Sequence, residues 1–211
     1  MPTDADLRDR ARILVSRMIE VGRVDYAVPA SVPRERLEAA IVAAGLTLRE
    51  TASPPLEAPP ATELDVTRWS DETGDDQLVL LWRPDLAVHL FEVRGPGAVD
   101  RARAILEHVP FVPQSELLRA AIDVASPDAG KALLVLAHAC VVWDDDWGDL
   151  FLLHLASPDP IARHNAVACT FLAAMVSGAH APAAALLQEA AAREKFPKLR
   201  ETIDDAIARL S

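Results

Sequence analysis

The tetrapeptide Ala125–Asp128, which reads Ala-Ser-Pro-Asp, recurs at Ala156–Asp159, and each copy lies between two apolar stretches of helical period. The two copies begin at positions 125 and 156, an offset of 31 residues. A turn repeated at such an offset is typical of stacked helical units, each of which buries one face against the next. The repeat therefore predicts a continuous helical core with an extended surface, and it does not by itself identify a function.

The second copy opens a helix with two strong local signals. The carboxylate of Asp159 is expected to cap that helix, and Pro160 fills the first helical position, where no amide donor is needed. Arg163 follows one turn later. Pro197 and Arg200 repeat this proline-to-arginine spacing, which predicts a third helix pair at the end of the chain.

The first copy matches this pattern less closely, with Asp128 as the expected cap and Lys131 near the position that the arginine has in the second copy. The whole pattern, from Gln114 to Leu210, resembles HEAT-like repeats, in which a helix pair turns at a proline and an aspartate before a helix that opens with a basic residue. The resemblance implies that these aspartates and basic residues link neighbouring repeats as a structural ladder. The implied ladder consists of Asp128, Lys131, Asp159, Arg163 and Arg200.

The alternative is that two Ser-Pro-Asp turns arose independently in an ordinary helical bundle, because this tripeptide is common turn and cap chemistry. The offsets are 31 residues between the two tetrapeptides and 37 residues from Pro160 to Pro197. Both are shorter than a usual HEAT unit, and only about three units are present. Tetratricopeptide and ankyrin signatures are missing. Beyond Pro113 the periodicity predicts helices only, paired as 114–124 with 129–142, 147–155 with 160–176, and 182–194 with 197–210.

The N-terminal half has a mixed pattern, which makes the predicted fold class α+β. After a helix over 4–21, residues 23–28 and 46–51 read as strands around a helix at 33–44. Three antiparallel strands at 64–69, 78–82 and 87–93 and a helix at 99–109 follow a proline-rich loop at 51–62. We therefore predict a small α+β domain over 1–110 and a HEAT-like array over 111–211.

Composition narrows the classes of partner. The formal net charge is -11, and acidic residues outnumber basic ones in both halves of the chain. Duplex binding depends on lysines and arginines that contact phosphates, so neither nucleic acid nor an anionic membrane is an expected partner. A basic protein, or one of mixed charge, is favoured instead.

The start of the chain, Met1–Asp4, has neither a basic nor an apolar leader region, and charges interrupt every apolar run. The two cysteines, Cys140 and Cys169, fall within apolar helical pattern and indicate no disulfide scaffold. We therefore expect a soluble, cytoplasmic protein.

The most unusual local feature is Trp143–Asp149, four carboxylates around two tryptophans between the first and second helix pairs. Indole rings beside carboxylates would suit an arginine or lysine of a bound protein. Two alternatives stay open: core-facing tryptophans with aspartates that cap the next helix, and a divalent-cation site. The predicted partner-binding residues are Trp143, Asp144, Asp145, Asp146, Trp147 and Asp149.

The chain shows no convincing catalytic or metal-binding motif. His138 and Cys140 are two residues apart on a presumed helix, and His154, His164 and Cys169 complete no zinc spacing. The turn at 95–97 precedes a helix as a phosphate loop would, but Pro96 lacks an amide. No nucleophile elbow is present. We therefore expect no metal and no cofactor, and the chain is not expected to be an enzyme.

The leading hypothesis is a stand-alone protein-binding module of bacterial appearance, an adaptor or an inhibitor. One alternative is catalytic or ligand-binding, since some HEAT-like proteins resemble DNA glycosylases or bilin lyases. The lyase version predicts a pocket between the two domains that Trp69, Trp82, His89 and Phe91 line. A third hypothesis is a structural homodimer that pairs through an exposed strand edge.

Overall fold

The structure is a computed structural model that describes residues 2–52, 65–83 and 86–211. Its strands are β1 Arg23–Pro29, β2 Thr47–Ala52, β3 Asp65–Ser70, β4 Gln77–Arg83 and β5 Val88–Arg94. The first helices are α1 Asp4–Glu20, α2 Arg34–Ala43 and α3 Ala98–Leu106. The later helices are α4 Gln114–Ile122, α5 Ala129–His138, α6 Asp145–Leu155, α7 Pro160–Ser177, α8 His180–Arg193 and α9 Pro197–Leu210. The α+β class, with antiparallel strands followed by a run of helices, is confirmed.

The five strands form one antiparallel sheet in the order β1-β5-β4-β3-β2. Strands β2 to β5 pair with their sequence neighbours, and β1 pairs with β5 across the register Arg23↔Arg94 to Pro29↔Val88. Because β1 and β2 lie at opposite edges, the connection through α2 crosses from one edge of the sheet to the other. Most of the predicted loop at 51–62, and the turn at 84–85, lie outside the described residues.

One face of the sheet supports the core of this part of the chain. Alternate residues on β4, namely Leu78, Leu80 and Trp82, are buried, as a half-buried strand requires. Helix α3 packs against β1 and β5, and α2 packs against α3. The outer edge of β1 is covered, since Val112 donates its amide to the carbonyl of Ala27 at 2.8 Å.

The helices from α4 onward pack as successive pairs. Helix α4 contacts α5, α6 contacts α7, and α8 contacts α9. Each pair also contacts the next one through corresponding helices, because α6 contacts both α4 and α8, and α7 contacts both α5 and α9. The chain is therefore mostly helical, with a small antiparallel sheet followed by stacked helix pairs.

The chain packs as two compact units, one formed by Val15–Pro113 and the other by Met1–Leu14 together with Gln114–Ser211. The N-terminal part of α1 thus belongs with the helix pairs, where Asp4 pairs with Arg119 at 2.8 Å. The predicted domain boundary at 110/111 stays a prediction. Among the described residues, no helix combines the length and the apolar character needed to cross a membrane.

Five predicted helix boundaries differ from the structure by two residues or more. Helix α3 ends at Leu106 rather than at 109, α4 ends at Ile122 rather than at 124, and α8 begins at His180 rather than at 182. Helix α5 ends at His138 rather than at 142, although Cys140 and Val141 remain buried beyond its end. The apolar pattern therefore continues where the helix does not. Helix α6 begins at Asp145, two residues before the predicted start, because the side chain of Asp144 accepts the amide of Trp147 at 3.1 Å and caps it.

Candidate functional site

The predicted partner loop is built around one buried aromatic side chain, Phe151 of α6. The ring of Trp143 stacks on Phe151 at 5.3 Å between centroids, and Trp147 stacks on it at 5.9 Å. Trp147 and Phe151 are buried, and Trp143 is half-buried. The two tryptophans therefore contribute to packing at the start of α6, in line with the alternative of core-facing rings.

The aspartates of the loop fall into two groups. Asp144 caps α6, and Asp146 accepts a hydrogen bond from the guanidinium of Arg10 at 3.1 Å. Asp145 and Asp149 are exposed and are four residues apart, a spacing that brings their Cβ atoms within about 6 Å on one helix face. The loop thus already holds one arginine from α1 and leaves two carboxylates toward solvent.

The structure connects some residues of the predicted ladder and leaves others apart. The carboxylate of Asp159 caps α7 by accepting the amide of Ile161 at 2.9 Å, as expected. The predicted cap by Asp128 is wrong, since its side chain makes no cap hydrogen bond and only approaches Lys131 at 3.9 Å. Arg200 is exposed on α9. The role of these residues as a ladder stays a prediction.

Arg163 does connect two helix pairs, through a residue that the sequence did not single out. Its Nε donates to Oε2 of Glu194 at 2.8 Å and its Nη2 donates to Oε1 at 3.1 Å. Its Nη1 donates to the carbonyl of Ser157 at 2.8 Å. One guanidinium therefore ties the α6–α7 turn to the α8–α9 turn.

Glu194 is the centre of this connection. Besides Arg163, its Oε1 accepts the amides of Lys195 at 2.8 Å and Phe196 at 2.9 Å. The hydrogen bonds from Arg163, together with those from the two amides, lower the pKa of Glu194 to about 2, and partial burial opposes this shift. No local motif marks Glu194, because its main partner is 31 residues away.

The same two turns border a cavity of about 370 Å³. Its wall is mostly apolar, and Arg163, Arg193 and Lys195 contribute cationic groups. A second, smaller cavity of about 220 Å³ lies between α7 and α9. The residues that line the larger one are Leu152, Leu155, Ala156, Ser157, Arg163, Ala190, Arg193, Glu194, Lys195 and Phe196.

Of the remaining histidines and cysteines of the helical unit, His154, Cys140 and Cys169 are buried and serve packing, whereas His164 and His180 are exposed. His154 is buried, and its Nε2 lies 2.7 Å from the carbonyl oxygen of Ala121, which links α6 to α4. Burial lowers the pKa of His154 and raises the pKa of Cys169 to about 12. Within the described ranges, no group of three His, Cys, Asp or Glu side chains has the arrangement of a metal site.

The turn before α3 binds a carboxylate of the chain itself. The amide of Gly97 donates to Oδ1 of Asp76 at 2.7 Å, and Nε of Arg101 donates to Oδ2 at 3.1 Å. Asp76 is buried. The end of α3 that a phosphate would approach is therefore occupied by a side chain, which supports a structural role for the turn.

The four residues of the predicted lyase-like pocket lie on one face of the sheet. Trp82 and His89 are directly opposite each other on β4 and β5, with ring centroids 4.4 Å apart. All four side chains are buried, so they are part of the core of this unit. Burial also lowers the pKa of His89.

A cluster of charged side chains occupies the opposite face of the sheet. Arg23 Nε donates to Asp25 at 2.8 Å, and its Nη2 pairs with Glu92 at the same distance. Burial raises the pKa of Asp25, and the hydrogen bond from Arg23 opposes that shift. Arg94 also pairs with Glu92, so two arginines compensate two carboxylates and the cluster is a structural network.

Comparison of the chain with protein-family models, with curated proteins and with solved structures finds no match. A functional assignment therefore depends on the geometry of the described residues.

Proposed function

We propose that the protein is a non-enzymatic protein-binding module, an adaptor or an inhibitor. Its helix pairs form a short HEAT-like array, and its partner is a protein segment that is basic or of mixed charge. The partner's arginine or lysine side chains bind at the acidic start of α6.

The packing of the helices supports the HEAT-like part of the proposal. Three successive pairs contact one another through corresponding helices, which is the arrangement of a solenoid that buries each repeat against its neighbour. Arg163 bonds to a residue of the next pair, as a basic residue after a turn does in the resembled family. Such arrays present extended surfaces, and loops on one rim are frequent sites of partner contact.

The observation that carries the proposal is the charge arrangement on α6. Asp145 and Asp149 are exposed on one helix face, beside the Asp146 carboxylate that pairs with Arg10. The Arg10 contact is an intramolecular example of the contact that a partner's arginine would make. Two exposed carboxylates about one turn apart favour a cation and can steer a basic partner toward the surface.

The test is affinity capture with the full chain and with the double variant Asp145→Lys/Asp149→Lys. This variant keeps the Asp144 cap and the Asp146 pair, so these two contacts at the start of α6 are retained. Glu201→Lys/Asp204→Lys is the matched control, because it makes the same charge change at two exposed carboxylates of α9. Recovery is quantified by mass spectrometry from the native cell extract.

A partner that wild type and control recover, and that the α6 variant recovers about tenfold less, supports the proposal, since each exposed ion pair contributes up to about 1 kcal/mol and reversal adds repulsion. Binding should also weaken as the salt concentration rises. Equal recovery by all three proteins would contradict a role for this face.

A further inference from the structure

The cavity beside the α6–α7 and α8–α9 turns has the size and composition of a small ligand site. Its volume of about 370 Å³ falls in the range of roughly 300–1,000 Å³ that ligand pockets occupy. Leu152 and Leu155 of α6 and Ala190 of α8 supply apolar surface. The cavity is separate from the acidic face at the start of α6.

The cavity is held in shape by hydrogen bonds that involve no ligand. Glu194 accepts bonds from Arg163 and from the amides of Lys195 and Phe196, which fixes the connection between α8 and α9. Only 3% of the Glu194 side chain and 16% of the Arg163 side chain are accessible to solvent. A site whose wall is already ordered loses little entropy when a ligand binds.

An aromatic ring is left partly uncovered at this wall. Phe196 is 54% exposed, and the Arg163 guanidinium carbon lies 5.6 Å from the centroid of its ring. The guanidinium therefore holds the ring beside the cavity rather than in the core. Apolar surface of this kind favours a ligand with an aromatic or branched apolar body.

The charge of the lining residues is positive in a chain whose net charge is -11. Arg163 compensates the one acidic residue of the lining, Glu194. Lys195 forms no ion pair with any residue that the structure describes, and Arg193 pairs only with Glu189 in an exposed contact, which is weak. The lining therefore retains two cationic side chains, Arg193 and Lys195, toward a ligand.

We infer that this cavity binds an organic carboxylate, whose apolar body contacts Leu152, Leu155 and Phe196 and whose anionic group lies against Arg193 and Lys195. The carboxylate belongs to a free small molecule or to the C-terminal residue of a peptide. The inference goes beyond the proposed protein-binding function, since it uses different residues and would stand if the acidic face of α6 bound nothing.

The test uses 4-phenylbutyrate, its uncharged analogue 4-phenylbutyramide, and a short N-acetylated peptide without charged side chains that ends in phenylalanine with a free carboxylate. Binding to the isotope-labelled full chain is followed by the NMR shifts of the backbone amides of Ala156, Lys195 and Phe196. The variant Arg193→Gln/Lys195→Gln removes the two cations. Its matched control, Lys198→Gln/Arg200→Gln, neutralises two exposed cations of α9 outside the cavity.

We expect saturable shifts at these amides with phenylbutyrate, and about tenfold weaker binding of the amide analogue and of the cavity variant, because a hydrogen bond to a charged group is lost. The control variant should bind as wild type does. Tighter binding of the peptide identifies a protein terminus as the ligand, and tighter binding of phenylbutyrate identifies a small molecule. Absence of shifts at millimolar ligand, or equal binding of the acid and the amide, overturns the inference.

Discussion

Replacement of Glu194 by glutamine should destabilise the helix pairs by removing one charge from a largely buried ion pair. The substitution keeps the shape of the side chain, and one oxygen can still accept the amides of Lys195 and Phe196. The new side-chain amide, however, faces Nε of Arg163, which donates to the carboxylate at 2.8 Å in the wild type. Two donors then oppose each other, and the arginine keeps its charge without an anionic partner.

The expected loss is about 2 to 3 kcal/mol of unfolding free energy. Hydrogen bonds to charged groups contribute about 1.5 to 3 kcal/mol, and breaking a fully buried pair costs about 3 to 5 kcal/mol. The Arg163–Glu194 pair lies between these cases, since both side chains are largely covered yet border a cavity at the surface. For a chain of this length such a loss lowers the Tm by about 4 to 12 °C.

The loss should depend on pH. The pKa of Glu194 is lowered from 4.5 to about 2 in the folded protein, chiefly by Arg163. A lowered pKa stabilises the folded state fully above the ordinary value of 4.5 and progressively less as the pH falls from 4.5 toward 2. The stability difference between wild type and Glu194→Gln should therefore be constant near neutral pH and shrink below about pH 4.5.

The assay is urea unfolding followed by far-UV circular dichroism, applied to Glu194→Gln, Arg163→Met and the double variant. The coupling energy of this cycle should be at least about 1.5 kcal/mol. Arg193 and Glu189 form the control cycle, because they are an exposed pair one turn apart on α8 and should couple by about 0.3 to 0.5 kcal/mol. Equal coupling in the two cycles, or a stability difference that stays constant down to pH 3, would contradict a stabilising Arg163–Glu194 pair.

Two further substitutions test other parts of the structure. Phe151→Ala should lower the unfolding free energy by about 3 to 5 kcal/mol, because a cavity replaces a fully buried ring on which two tryptophans stack. The fluorescence of Trp143 and Trp147 should change as well. An unfolding free energy within about 1 kcal/mol of wild type would count against this packing. Asp76→Asn should lower the unfolding free energy by about 2 kcal/mol, since the buried carboxylate accepts hydrogen bonds from the amide of Gly97 and from Arg101. The control Asp75→Asn, at the exposed neighbouring position, should change it by less than about 0.5 kcal/mol. Similar unfolding curves for the two variants would disprove this difference.

The sequence predicted most elements because their signals are local. Asp159 and Pro160 identify the start of α7 within two adjacent residues, and the structure confirms both the helix and its cap. The alternating pattern of β4 likewise requires no knowledge of distant residues. At Asp144–Trp147 several aspartates could cap the next helix, and the predicted start of α6 differs from the observed one by two residues.

The candidate site was less predictable. The spacing of aspartates and tryptophans identified the acidic loop, but whether an indole faces solvent or core depends on Phe151, whose position relative to the loop is a matter of packing. The Asp146 carboxylate was expected to meet an external cation, and its partner in the structure, Arg10, is 136 residues away in sequence. No pattern within the loop reveals that contact.

Local sequence patterns are enough to predict that the strands precede the helix pairs and where the turns between these elements lie. Hydrophobic periodicity, prolines and caps act over a few residues, so one sequence carries that information in full. Only the tertiary structure placed β1 beside β5 and joined Arg163 to Glu194. These contacts form because distant segments bury apolar surface together, which then brings charges from separate turns within hydrogen-bond distance and encloses the cavity between them.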